Sequence, residues 1–276
     1  LRYGCQQFCL DLFPALKRAA FRTCRSTFYF LIFQIIMMKS NLYFSCEAVG
    51  ADGTITTTLA AVAPRHYVIA GWTGRDAAAI EHHIHELGLI GVPAPSTVPL
   101  YYRGSALLLT QTETIQVVGP DSSGEVEPVL FYTGGEWWLT VGSDHTDRRV
   151  ETYSIAVSKQ LCPKPTGTAA WRWSDVSAYQ DELELISRIF EDGKWVDYQK
   201  GAFAAIRPLE SLRNGCFAGP HIDEGSFVSC GTLGAIPNAK GEGIRAATQM
   251  ELEIRDPRRK RSIKHRYSVE VLPLVS

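Results

Sequence analysis

Three acids sit where a β-hairpin has little use for them. The stretch "GEVEPVLFYTGGEWWLTVGSDHTDR" (124–148) carries Glu125 and Glu127 ahead of a Gly134-Gly135 pair and Asp144 behind it. Gly-Gly between two apolar runs is a two-residue hairpin signal, because both central residues of the favoured turn need positive φ. A loop centred there pairs residues whose numbers sum to 269, placing Glu125 opposite Asp144 and Glu127 opposite Gly142. Residues i and i+2 of a strand share a face, and so do directly opposed residues. The three carboxylates therefore converge on one patch, where opposed like charges destabilise a strand pair. Two arrangements relieve this: a solvated strand face, or a divalent cation between the acids. Carboxylate oxygens suit Mg²⁺, Mn²⁺ or Ca²⁺, and Mg²⁺ keeps positions open for water and substrate. Asp147 is a second candidate for the third ligand.

The elements that must position these acids are mostly strands. "NLYFSCEAV", "TITTTLAAV" and "HYVIAGWTG" are short β-branched or aromatic runs cut by Gly, Asp and Pro. Residues 75–89, "RDAAAIEHHIHELGL", are helix formers with glycines near their end. Strand patterns return at 100–109, 115–118, 125–131 and 137–141. A second helix is expected over 174–190, then a hairpin turning at Asp192-Gly193, then a strand-rich end from Gly225 to Pro273. Trp137 and Trp138 fall on opposite faces by alternation. The fold class is therefore mainly β with α (α+β), in one domain after a small N-terminal β cap at 38–74.

Bulk composition narrows the partners. Hydrophobic residues make up 45% and charged residues 21% of 276, an ordinary globular balance, and the net charge is −1. That charge gives no reason to expect nucleic acid. The basic run at 256–266, "DPRRKRSIKHR", reads as a solvated hairpin tip. Residues 1–36 hold five bases and one acid, leaving 23 bases and 28 acids, net −5, in the remainder. Residues 1–37 read as a leader outside the fold: translated upstream sequence, an organelle presequence or a secretory signal. The apolar run at 28–38 is too short to span a bilayer, so no membrane partner is expected. Localisation is expected to be cytoplasmic, or mitochondrial if the leader is a presequence. Cys46, Cys162, Cys216 and Cys230 have no zinc-type spacing and read as buried thiols.

Several motifs, taken in order, resemble the fumarylacetoacetate hydrolase family. These are "AIEHHIHE" (79–86), "YYRGSALLL" (101–109), "GEVEPVLF" (124–131), "SDHTDR" (143–148), "SKQLCPKP" (158–165) and "EGSFVSCGTLGAIP" (224–237). The likeness spans about residues 75–256. It implies a β-sandwich or β-roll catalytic domain over 75–276, and Glu125, Glu127 and Asp144 as ligands to Mg²⁺, with Mn²⁺ or Ca²⁺ as substitutes. It implies that His83 and Glu86 form a water-activating dyad and that Lys159 points into the site. Tyr102, Arg103, Ser105, Arg148, Gly231 and Thr232 become substrate-binding residues, Arg103 through a substrate carboxylate. The implied substrate is a small 2-oxo or 1,3-dicarbonyl acid, hydrolysed at a C–C bond through a metal-bound enolate by a homodimer. A lyase of the same fold (hydratase, decarboxylase or isomerase) and a non-catalytic binding protein are the alternatives. The chain departs from the family pattern in three places: only 17 residues separate Glu127 from Asp144, Pro128 follows Glu127, and Ala79 and Ile80 replace the usual Asn-Tyr.

Overall fold

The computed structural model describes residues 41–89, 94–217 and 223–275. The leader expected at 1–37 lies outside the described residues. Leu42–Ser276 form one compact unit. Its strands are β1 (Leu42–Val49), β2 (Ile55–Val62), β3 (His66–Gly71), β4 (Leu100–Gly104), β5 (Leu109–Thr110), β6 (Thr114–Val118), β7 (Ser122–Ser123), β8 (Val126–Thr133), β9 (Glu136–Ser143), β10 (Thr146–Asp147), β11 (Lys164–Pro165), β12 (Ala169–Arg172), β13 (Glu184–Glu191), β14 (Lys194–Ala202), β15 (Ser226–Ser229), β16 (Gln249–Asp256) and β17 (Arg261–Leu272). The α-helices are α1 (Ala77–Leu89), α2 (Arg148–Glu151), α3 (Ile155–Ser158) and α4 (Leu209–Cys216). Among the described residues no helix is long and apolar enough to cross a membrane.

Two sheets dominate. The larger has the order β2-β1-β12-β9-β8-β15-β3-β4, and the smaller β14-β13-β16-β17-β6. Val126, Leu130, Leu139 and Val141 of the large sheet share one core with Leu185, Leu252, Ile254 and Ile263 of the small one. On the reverse face of the large sheet a second core forms around Phe44, Phe131 and Phe227. The Phe131 ring stacks between the other two, with centroids 4.1 and 5.3 Å away. Trp137 joins the first core and Trp138 the second, as strand alternation requires. β1 and β2 are hydrogen-bonded into the large sheet through β12, so residues 42–74 belong to this layer and form no separate cap.

Turn chemistry sets the two hairpins. Gly134 and Gly135 have φ of 63° and 81°, and β8 pairs with β9 in the register that sums to 269: Val126 with Ser143, Glu127 with Gly142. Asp192 and Gly193 turn the β13–β14 hairpin, with φ of 50° and 77°. The basic run lies at the β16–β17 turn, where Arg261 bonds Asp256 and Glu47.

The helix expected over 174–190 is absent. Short 3₁₀ turns occupy Trp173–Asp175 and Ser177–Glu182, and residues from Glu184 form β13. β13 is bonded on both sides, to β14 and to β16, and its Ile186, Ile189 and Phe190 suit a pleated sheet better than a helix. Tertiary pairing here overrides the helix formers "DELEL".

Pro128 lies mid-strand between β9 and β15. Its carbonyl accepts the Cys230 amide at 2.9 Å, but proline has no N–H to return the bond. β15 ends at Ser229, and the chain turns at Gly231 with φ of 91°. A Cβ at Gly231 would collide with the Thr73 side chain, so only glycine fits.

Removing the central ring of the aromatic stack tests this packing. Phe131→Ala is expected to destabilise the protein by about 3–5 kcal/mol, read from the midpoint of urea unfolding followed by tryptophan fluorescence.

Candidate active site

The site grows from the open end of the β8–β9 hairpin. The Asp144 amide donates to the Glu125 carbonyl at 3.0 Å, extending the hairpin register one pair beyond Val126–Ser143. Glu127 shares a strand face with Val129 and Phe131, the face of the aromatic core. Opposite it stands Gly142, where a Cβ would strike Val129 Cγ2 at 2.7 Å. Two short strand pairs, β7–β10 and β5–β11, bring in the segments on either side of Asp144 and Lys164.

Asp144 is buried and held by two ammonium groups. Lys159 bonds its Oδ2, and Lys164 bonds its Oδ1 at 2.7 Å. Lys164 is 1% exposed and also donates to the His145 carbonyl at 2.5 Å. Burial alone would raise the Asp144 pKa, but the two lysines draw it well below the ordinary carboxylate range. Burial opposes the charge on Lys159, yet Asp144 and Glu125 hold its pKa above that of a free lysine. Lys164 is pushed down, first by burial and then by the Lys159 charge, against the pull of Asp144.

Glu127 has no ion pair among the described residues. It is 2% exposed, and Oε2 accepts the Gly231 amide at 3.2 Å. Burial, then the Asp144 charge, raise its pKa well above the ordinary value, with Lys159 opposing and Glu125 adding to the rise. Glu125 is paired differently: Arg148 Nη2 lies 3.2 Å from its Oε2. Arg148 in turn bonds Ser123 Oγ at 2.7 Å and Glu151 at 2.8 Å. The three acids thus face three cations, and only Glu127 lacks a direct one.

The surroundings fix these groups. Asp147 caps α2, its Oδ1 accepting the Val150 amide at 2.9 Å. It is therefore occupied as a cap, while Asp144 joins the buried cluster. His145 lies between Tyr267 Oη and Ser122 Oγ, each at 3.0 Å. Burial, then Lys164 and Arg148, push its pKa down to about 3, so it is a neutral hydrogen-bonding group. Gln199 from the small sheet, 1% exposed, accepts the Val126 amide at 2.9 Å and donates to Thr232 Oγ1 and the Leu233 carbonyl at 2.7 Å. Thr232 Oγ1 donates to the Val126 carbonyl at 2.7 Å. Gln199 and Thr232 thus pin the strand start that carries Glu127. Tyr67, bonded to Ser229 Oγ at 2.9 Å, has its pKa raised by burial and then by Asp144 and Glu127.

The substrate-binding set splits in two. The Tyr102 ring lies 5.7 Å from Lys159 Nζ and packs against the aromatic core with Tyr67 and Ile69. Arg103 points to the other face of the sheet, beside Tyr101, and donates to the Cys216 carbonyl at 3.1 Å. It therefore stands apart from the carboxylates. Ser105 caps a 3₁₀ turn and has an exposed side chain. His83 and Glu86 lie on α1, but their side chains lie outside the described residues. Lys164, Gln199 and Tyr67 are absent from the sequence-derived set. Lys164 stands inside the motif "SKQLCPKP", and its type there was a usable signal; a Gln or Tyr in a strand gives none.

The donor set suits a hard cation: Glu127 is a buried carboxylate short of positive charge, with Asp144 and Glu125 close enough to raise its pKa. Among the described residues no three His, Cys, Asp or Glu side chains are drawn together at ligating distance. Lys159, Lys164 and Arg148 hold two of the acids instead.

Two substitutions test this balance. The folded-state pKa of Glu127 lies above its unfolded value of about 4.5, so folding penalises the charged form. The penalty is absent below the unfolded value, grows as pH rises from there, and levels off above the folded value. Glu127→Gln is expected to stabilise the metal-free protein at pH 8, with the gain fading towards pH 4.5. Urea unfolding in EDTA at both pH values measures it, and a variant less stable at pH 8 contradicts it. Lys164→Met strips a buried carboxylate of a partner and is expected to cost about 3–5 kcal/mol. Adding Asp144→Asn should recover part of that loss in the same assay.

Known proteins bear on the fold and the family. A solved structure described as Cg1458 is 14% identical, with a TM-score of 0.53, covering 82% of this chain and 88% of its own. The hexagonal crystal form of 2-keto-3-deoxyarabinonate dehydratase is 12% identical, with a TM-score of 0.55 and coverage of 83% and 95%. The apo form of 2-keto-3-deoxy-D-arabinonate dehydratase gives 12%, 0.54, 82% and 94%. These likenesses place the chain in the fumarylacetoacetate hydrolase type of fold. No curated protein matches the chain. Residues 70–267 match the profile of the family described as Protein of unknown function (DUF2848), and the chain belongs to that family.

Proposed function

We propose that this chain is an enzyme of the fumarylacetoacetate hydrolase superfamily acting on a 2-oxo acid. The observation that carries the reading is the buried cluster of Glu127, Asp144, Lys159 and Lys164 at the end of one hairpin. A fold does not bury four charged groups at one point for stability, since an apolar replacement serves as well or better. Glu125, Glu127 and Asp144 would hold a divalent cation, Mg²⁺ or Mn²⁺. That cation supplies Lewis-acid stabilisation of charge developing on the oxo oxygen.

The chain's own residues supply the rest. Lys159, oriented by Asp144 and 6% exposed, offers a fixed positive charge to the oxo-acid oxygens. Tyr102 walls the same face and excludes water from it. The Gly231 amide aims Glu127. His83 and Glu86 are assigned as the proton-handling pair on the strength of the family resemblance, with Glu86 orienting His83 to take a proton from water or from the carbon beside the oxo group. Hydrolysis of a C–C bond in a 1,3-dicarbonyl acid and loss of water from a 3-deoxy-2-oxo acid both pass through an enolate of the 2-oxo acid. The first releases it when the C–C bond breaks after water adds to the distal carbonyl. The second forms it by losing the proton beside the oxo group before hydroxide leaves from the next carbon. The second outcome is favoured by the two fold neighbours named as 2-keto-3-deoxyarabinonate dehydratases.

Enolisation is testable before the substrate is known. With Mg²⁺ in D₂O, the protein is expected to exchange the C3 protons of simple 2-oxo acids, seen as loss of their ¹H NMR signals. Glu127→Gln and Lys159→Met should slow that exchange at least 100-fold while remaining folded. Metal is also expected to raise the unfolding temperature of the natural chain but not of Glu125→Ala with Glu127→Ala. If metal stabilises neither protein and no oxo acid exchanges, the enzyme reading fails in favour of a binding role.

A further inference from the structure

The large sheet carries a second polar concavity, on the face turned away from Glu127. It is a cleft of about 380 Å³ lined by Arg65, His66, Arg103, Phe217, Asp223 and Ser226 among others. The register fixes its geometry. Arg103 pairs with Val68, Val68 with Val228, and His66 with Ser226. Directly paired residues share a face, as do residues two apart. Arg103, His66 and Ser226 therefore project together, on the side of Val68, Val228 and Leu130, whereas Glu127 and Val129 project from the reverse.

Three features of the cleft point to a ligand. Ser226 is fully buried, and its Oγ has no hydrogen-bond partner. A buried hydroxyl is normally paired, and an orphan calls for an explanation. Arg65 enters from the β2–β3 turn and has no carboxylate partner among the described residues. Arg103 enters from β4, its guanidinium steadied by the Cys216 carbonyl at 3.1 Å. The acid lining the cleft, Asp223, is engaged by His66 at 3.1 Å. Positive charge is thus in excess, from two guanidinium groups that favour multidentate contact with oxyanions.

We propose that this cleft binds the phosphate group of a small phosphorylated molecule. Arg65 in the β2–β3 turn, Arg103 on β4 and Ser226 on β15 bring two guanidinium groups and one hydroxyl to the cleft. The three terminal oxygens of a phosphate monoester match that arrangement; a carboxylate offers two oxygens in one plane. Phe217 gives an apolar wall for the organic part, and the volume is that of a small-molecule pocket. The site is separate from the acidic cluster, so its occupancy does not depend on the proposed reaction. It also gives Arg103 a role on the face where its side chain lies.

Inorganic phosphate is the probe, titrated into the full chain by calorimetry, with acetate and chloride at equal ionic strength as controls. Phosphate is expected to bind saturably. Arg65→Ala and Arg103→Ala should each weaken binding at least tenfold, Ser226→Ala a few-fold, and Glu127→Gln not at all. Both arginines are exposed, so those variants should keep the far-UV circular dichroism of the natural chain. Equal heats with acetate or chloride would overturn the proposal. So would a phosphate response that survives Arg65→Ala with Arg103→Ala, or one that Glu127→Gln abolishes.

Discussion

Everything at the candidate active site hangs on one buried carboxylate shared by two ammonium groups. Asp144 would be an untenable charge without Lys159 and Lys164, and each lysine would be untenable without it. The three arrive from separate segments: the end of β9, the end of α3 and β11. Their mutual need holds those segments in place. Two-residue strand pairs such as β5–β11 and β7–β10 contribute little by themselves, so the charge cluster and the short ladders support each other.

That cluster leaves Glu127 as the uncompensated acid. The fold aims it with uncommon care: Gly142 leaves space opposite, Gln199 and Thr232 pin the strand before it, and Gly231 reaches its carboxylate by a turn only glycine can make. A carboxylate so placed, with a raised pKa, is a position of stored electrostatic cost. Such positions collect at functional sites because binding relieves the cost.

Local rules made much of this legible in the sequence. Gly134-Gly135 and Asp192-Gly193 dictate φ > 0, and with it the turn and the register, so the placement of Glu125, Glu127 and Asp144 along the hairpin followed from counting. Trp137 and Trp138 divided between faces for the same reason. What failed depended on distant partners. Residues 181–185, "DELEL", carry helix formers, and the pairing of the segment from Glu184 with β14 and β16 makes it a strand. The family resemblance puts Arg103 and Tyr102 together on the substrate, whereas alternation sends their side chains to opposite faces of β4. Lys164 stands in the same motif as Lys159, and only the fold brings both ammonium groups to Asp144. Gln199 gave no signal at all, since its role is to reach across from the other sheet.

Pro128 has a further consequence, felt before the chain folds. Proline disfavours the helical region for the residue before it and biases that residue towards extended backbone. The residue before it is Glu127. The least compensated buried acid of the site therefore samples its working backbone conformation even in the unfolded chain. Less entropy is lost when it is fixed in place. A residue that looks like a flaw in a central strand thus acts as a local pre-organiser, lowering the entropic barrier to assembling a charged site whose electrostatics resist assembly.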